Sequence, residues 1–213
     1  MPSSLDLDQA VEVCRTGDLW LFRGPSLADH AIRALTNAPV NHVGMAVVIE
    51  DLPPLMWHAE LGQALADVWT GTRHRGVQLH DLRESVEQWW HRYGQQPWLR
   101  QLDATVTPAM EDELLREIAR ADGLPFPRTA ALAGRWLRGR VRRRAPIGVT
   151  YCAEVVARAY QVMGLLDGER PVNSYDPGTF WSGDDLELAA GARLGAEIEV
   201  RMPPRSAVSR GPG

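Results

Sequence analysis

Between Thr150 and Met163 the apolar residues Cys152, Val155, Val156, Ala159, Tyr160 and Met163 fall at the i, i+3, i+4, i+7 spacing of a helix. One face of that helix must be covered by another layer of structure, which constrains this 213-residue chain more than any other segment. Thr150 stands at the N-cap position, and Gly164 stands where such a helix stops. Cys152 then falls in the first turn, on the inward face. Free N–H groups and the helix dipole favour a thiolate there. The residue therefore reads either as a nucleophile or as a small buried hydrophobe.

The partner layer is legible upstream. Asn41–Glu50 is apolar and β-branched with a histidine at its leading end, and reads as a buried strand. Gly17–Arg23 and Pro54–Glu60 read as two more strands, the latter carrying His58 and Glu60. Period-two spacing puts these two side chains on one face. Ser26–Leu35 reads as a helix that stops at Asn37-Ala38-Pro39, with Ser26 and Asp29 in capping-box spacing. Thr107 and Pro108 open a helix that runs toward Gly123. From Arg193 to Met202 apolar and polar residues alternate, which predicts a single half-buried strand. The expected class is α+β: a small, mainly antiparallel sheet packed against the helix that starts at Cys152.

Length and hydrophobic content suit one domain, residues 1–203, with an insert-like middle at about 62–145 and a disordered tail at 204–213. Five of the eight tryptophans (Trp57, Trp69, Trp89, Trp90 and Trp98) lie between 57 and 98, mostly as packing residues. Arg135, Arg138, Arg140, Arg142, Arg143 and Arg144 form a basic run just before Cys152. It reads as a solvated segment or as a dock for an anionic group. The net charge of −4 is too mild to imply a nucleic-acid partner. Two cysteines argue for a reducing compartment, with Cys14 a structural thiol. No signal peptide and no transmembrane run are read, so the expected location is cytoplasmic.

Four short motifs carry a resemblance: Gly17-Asp18-Leu19, Asn41-His42-Val43-Gly44-Met45, Met56-Trp57-His58-Ala59 and Tyr151-Cys152-Ala153-Glu154. Gly164-Leu165-Leu166 and Tyr175-Asp176-Pro177 follow them. In this order they resemble the circularly permuted, papain-like NlpC-type cysteine amidases and peptidases of the YaeF/YiiX kind. Lecithin:retinol acyltransferase-like proteins are more distant relatives of that group. The resemblance spans roughly residues 15 to 200. It implies a permuted papain-like fold with Cys152 as nucleophile and His42 as general base. His58 takes the position that orients the imidazole, with Glu60 as the alternative.

The implied chemistry is hydrolysis of an amide, in a peptide, isopeptide or small amide, or of a related acyl bond, through a thioester. An acyltransferase acting on a lipid or amine acceptor would use the same thioester, and a catalytically silent binding module would keep only the fold. No cofactor or metal is called for, because zinc sites announce themselves by tight local pairs that are missing here. His30, His74, His80 and His91 have no motif context and read as ordinary surface or groove residues.

Overall fold

A computed structural model describes residues 3–25, 38–125, 151–182 and 186–204. The predicted helix at Ser26–Leu35, Thr150, the arginine run and the tail from 205 onward lie outside the described residues. The protein is α+β. Its main sheet has seven strands in the order β1-β9-β6-β2-β3-β4-β5. These are β1 (Ser4–Asp6), β2 (Leu19–Arg23), β3 (His42–Val47), β4 (Leu55–Glu60), β5 (Gly76–Asp81), β6 (Gln96–Arg100) and β9 (Ile198–Arg201). All neighbours pair antiparallel except β1 with β9.

Helices cover both faces of the sheet. One face carries Leu21, Val43, Met45, Val47, Leu55, Trp57, Ala59 and Leu79. These meet Val155, Val156 and Ala159 of α4 (Cys152–Val162), behind which α3 (Pro108–Ala121) adds Leu114 and Ile118. The other face carries Trp20, Phe22, Ala46, Met56 and Leu99. It is covered by α1 (Leu7–Glu12) and α2 (Leu82–Tyr93) through Leu7, Ala10, Leu82, Val86 and Trp89. Every residue of β3 and β4 is buried, because both faces of these two strands are covered. That explains why their sequences run apolar instead of alternating.

Three expectations change. The described part of the middle, residues 62–125, is not an insert: β5 extends one edge of the main sheet, and β6 lies inside it between β2 and β9. The stretch from 193 to 202 is not one strand. β8 (Arg193–Leu194) pairs with β7 (Leu102–Asp103) in a separate ladder, and only β9 joins the main sheet. Between them, the Gly195 carbonyl accepts from the buried Arg100 guanidinium (2.6 Å), which also donates to the Phe180 carbonyl (2.7 Å). Lastly, Tyr151 takes the N-cap position of α4, without a side-chain cap bond. Its hydroxyl instead donates to the Tyr175 carbonyl (2.5 Å), so a tertiary contact anchors the helix start.

The α3 helix forms as its signals predict, with Thr107 Oγ1 accepting from the Met110 N–H. Its C-terminal end returns to the sheet edge, where Val77 N–H donates to Leu124 O and Gly123 N–H donates to Val77 O. Gly76, at φ +117°, makes this approach possible, since a Cβ there would stand 2.0 Å from Leu124 O. Gly76→Ala is expected to lose about 1–3 kcal/mol of stability through strain and displacement of this edge. Urea unfolding checks it, and an unchanged midpoint would show that 122–124 does not dock on β5.

Candidate active site

The leading residues of β3 and β4 build a polar cluster inside an apolar sheet. Side chains alternate across a strand, so Val43, Met45, Trp57 and Ala59 face α4, while His42, His58 and Glu60 face α2. Gly44 lets these strands close up on the α2 face, where a Cβ would stand 2.9 Å from Met56 Cγ and 3.3 Å from His58 Cβ. His42 Nε2 lies 3.2 Å from His58 Nδ1. His58 Nε2 lies 3.0 Å from Nδ1 of His80, on β5, and His80 Nε2 lies 3.1 Å from Gln78 Oε1. His58, His80 and Gln78 are fully buried, and His42 is 6% exposed.

Trp89 of α2 roofs the cluster. Its ring lies 3.9 Å from the His42 ring, centroid to centroid, and its Nε1–H donates to Glu60 Oε2 at 2.8 Å. Glu60 thus shares the histidine face, as its spacing from His58 predicts, but its hydrogen bond goes to Trp89. At the head of β3, Asn41 Oδ1 accepts the Gly24 N–H (2.7 Å) and its amide donates to Gln95 Oε1 (3.2 Å).

Cys152 reaches β3 from the α4 side. It packs in the same core cluster as Val43, whose backbone N–H is near enough to pull the thiol's pKa down. The sulfur therefore lies near the peptide that joins His42 to Val43. The β3–β4 ladder runs only from Met45–Trp57 to Val47–Leu55, so this point lies beyond the paired stretch. The structure thus brings His42 and His58 into direct contact and sets the thiol one residue along β3 from His42. The imidazole stacks on Trp89 on the α2 side, whereas the thiol is held from the α4 side.

Burial decides the ionisation here. It pushes the Cys152 thiol up to about 11, against the pull of backbone N–H groups from Val43, Ala153 and Cys152 itself. The thiolate expected from the helix terminus is therefore not the resting form, because desolvation outweighs the helix N–H groups. Burial also drives His42 down to about 3, His80 down to about 4 and His58 well below its ordinary value, and it lifts Glu60 to about 7. Cys14 is buried, pushed up to about 12, and accepts the Trp20 Nε1–H at 3.3 Å, as suits a structural thiol.

His80 corrects the expectation of a surface or groove residue, since it is part of the buried chain. The available signal was Val77-Gln78-Leu79-His80, where polar residues alternate with apolar ones beside a strand that carries a histidine. His74 joins Asp67 and Asp122 in a group whose ligand-type atoms all lie within 4.8 Å of one another. Asp67 there accepts the Leu79 N–H (2.6 Å) and the Thr70 N–H (2.7 Å), clamping the loop before β5. The Tyr175-Asp176-Pro177 motif makes a capped 3-10 turn at Pro177–Phe180. Gly178 in that turn meets Ala38, just ahead of β3. No helix among the described residues is long and apolar enough to cross a membrane.

Among solved structures, the chain is similar to the crystal structure of metalloprotein yiiX from Escherichia coli O157:H7, DUF1105. The match has 21% identity and a TM-score of 0.47, and covers 70% of this chain and 65% of that one. The chain thus spans just under two thirds of that protein's length. No protein-family model and no curated protein matches the chain.

The neutral histidines carry a pH signature. Below about 6.5 an unfolded histidine takes up a proton that the folded relay refuses until about 4 or lower. Their stabilisation is thus complete above about 6.5 and is lost as pH falls, by roughly 1.4 kcal/mol per pH unit for each. Glu60 acts in the opposite sense between about 4.5 and 7. A difference measurement on His80 cancels that contribution. The stability gap between wild type and His80→Gln is expected to shrink by roughly 1.4 kcal/mol per unit from pH 6.5 toward 4. Urea titrations at stepped pH read the gap, and a constant value would contradict a neutral buried His80.

Proposed function

We propose that the protein is a cysteine hydrolase of amide or related acyl bonds, acting through a thioester on Cys152 in a permuted papain-like fold. One observation carries this reading. The thiol at the start of α4 packs beside Val43, next in sequence to a histidine whose Nε2 is already engaged by His58. His42 Nδ1 is the nitrogen left to act as base, and the motif resemblance assigns the same roles.

The resting pair is a neutral thiol and a neutral imidazole, so the reaction runs by general-base catalysis. His42 Nδ1 takes the thiol proton as sulfur attacks the carbonyl carbon. The C=O π pair moves to oxygen, where the Cys152 N–H at the helix start can donate to the oxyanion. The intermediate collapses to a thioester, and the protonated His42 gives its proton to the leaving amine. Water then attacks the thioester, Nδ1 takes a proton from it, and the released thiolate is reprotonated. An amine or alcohol in place of water makes the same site an acyltransferase.

The facing of the two side chains favours a second reading, a catalytically silent binding module. Attack requires the His42 imidazole to swing from Trp89 toward the thiol at the strand head. Acylation by a p-nitrophenyl ester, followed by intact mass, separates the two readings. A single acyl adduct on Cys152 is expected, absent in Cys152→Ala and formed about a hundredfold more slowly in His42→Ala. An unacylated Cys152, or a rate indifferent to His42, would establish the silent module.

Alkylation orders the two thiols. Cys152 sits at a helix start whose backbone N–H groups pull its thiol down, so iodoacetamide should modify it before Cys14. Peptide mass mapping over time gives the order. Faster loss of Cys14 would count against Cys152 as the reactive thiol.

A further inference from the structure

We propose that Gln78, acting through His80 and His58, fixes the proton of His42 on Nε2 and so leaves Nδ1 as the basic nitrogen. This inference rests on the hydrolase reading for its purpose, but not for its evidence.

The Gln78 amide nitrogen donates to the Gly76 carbonyl at 3.4 Å, which turns Oε1 toward His80. An amide oxygen only accepts, so His80 Nε2 must carry a proton. In a neutral imidazole the other nitrogen is then bare. His80 Nδ1 therefore accepts, and His58 Nε2 is the donor across 3.0 Å. By the same rule His58 Nδ1 is bare and accepts from His42 Nε2–H across 3.2 Å. His42 is left with its lone pair on Nδ1.

The opposite polarity has a structural cost at the same end. It requires Gln78 to donate to His80, which turns its oxygen against the Gly76 carbonyl, two acceptors face to face. Each ring would then shift its proton to Nδ1, and His42 would present an N–H where the mechanism needs a lone pair. The direction of one buried amide thus sets which nitrogen of a residue two rings away is basic. Gln78 and His80 are positioning residues, because they act only through the rings between them and His42.

Long-range 1H–15N correlation on 15N-labelled protein reads the tautomer of each histidine directly, because bare and protonated ring nitrogens resonate far apart. The expected wild-type result is Nε2–H with a bare Nδ1 for His42, His58 and His80 alike. In Gln78→Leu the end acceptor is gone, and His42 should become a mixture of tautomers. Cys152 acylation should then slow by about two- to tenfold, the bias that one neutral hydrogen bond supplies. Gln78→Glu should restore the wild-type pattern at pH values where the new carboxyl is ionised, since only the ionised form is an acceptor without a donor.

A wild-type His42 protonated on Nδ1, or a Gln78→Leu protein with unchanged tautomers, would overturn the inference. The wild-type spectrum alone is decisive if the leucine variant does not fold. Failure of the hydrolase reading looks different: Cys152 stays unacylated while the three rings keep their Nε2–H pattern.

Discussion

Burial of β3 and β4 on both faces is the constraint from which the rest follows. A strand covered by helices on each side has no wet face on which to put a polar side chain. On the α4 face, Val43, Met45, Val47, Leu55 and Ala59 meet that condition by being apolar, and Trp57 meets it except for one buried indole N–H without a partner among the described residues. On the α2 face, His42, His58 and Glu60 meet it by finding partners: the histidines bond one another, and Glu60 takes the Trp89 indole. A buried polar group without a partner costs roughly 1–3 kcal/mol. A chain of rings that satisfies itself is therefore the condition for keeping histidines at these positions.

The same burial sets the chemistry. The start of α4 supplies N–H groups that lower the Cys152 pKa, yet desolvation raises it more, and the thiol rests neutral. His42 is neutral for the same reason. A thiolate–imidazolium pair needs enough local polarity to stabilise two charges, and the apolar packing around Val43 does not supply it. In the proposed reaction, proton transfer during attack would need less, because charge would form only as the carbonyl oxygen and the helix N–H become available to share it. The packing that makes α4 a good core helix also makes Cys152 a poor spontaneous nucleophile.

Much of this was legible in the sequence. The strands at 19–23, 42–47 and 55–60 follow from β-branched apolar runs, and the helices at 108–121 and 152–162 follow from periodicity with stop signals. The shared face of His58 and Glu60 follows from period two. What was not legible depends on contacts between distant segments. His80 looks like any strand histidine until β5 is paired to β4, a register that sets Gln78 opposite His58. Trp89 looks like one of five clustered tryptophans until α2 is laid across the sheet. Residues 193–202 alternate well enough for a single strand, but Gly195 bonds Arg100 and Gln101, and Glu197 bonds Ser182, between the two short strands. Local pattern fixes element type, while long-range pairing decides which polar side chains meet.

Pairing also explains why the relay ends on an amide rather than a carboxylate. A carboxylate at position 78 would fix the same proton direction with a stronger acceptor. It would also place a charge at a fully buried site, against the carbonyl of Gly76, where Gln78 now donates. Burying such a charge without full compensation costs several kcal/mol, far more than the added strength of one hydrogen bond repays. The amide donates to one neighbour and accepts from another, so it satisfies both with no charge. Glu60, on the same face, bonds Trp89 instead of a histidine and is itself lifted toward neutrality, while Asp67 is the carboxylate whose charge reaches His80. The site is thus built from neutral groups whose direction is set by hydrogen-bond donors and acceptors, and charge enters only with a substrate.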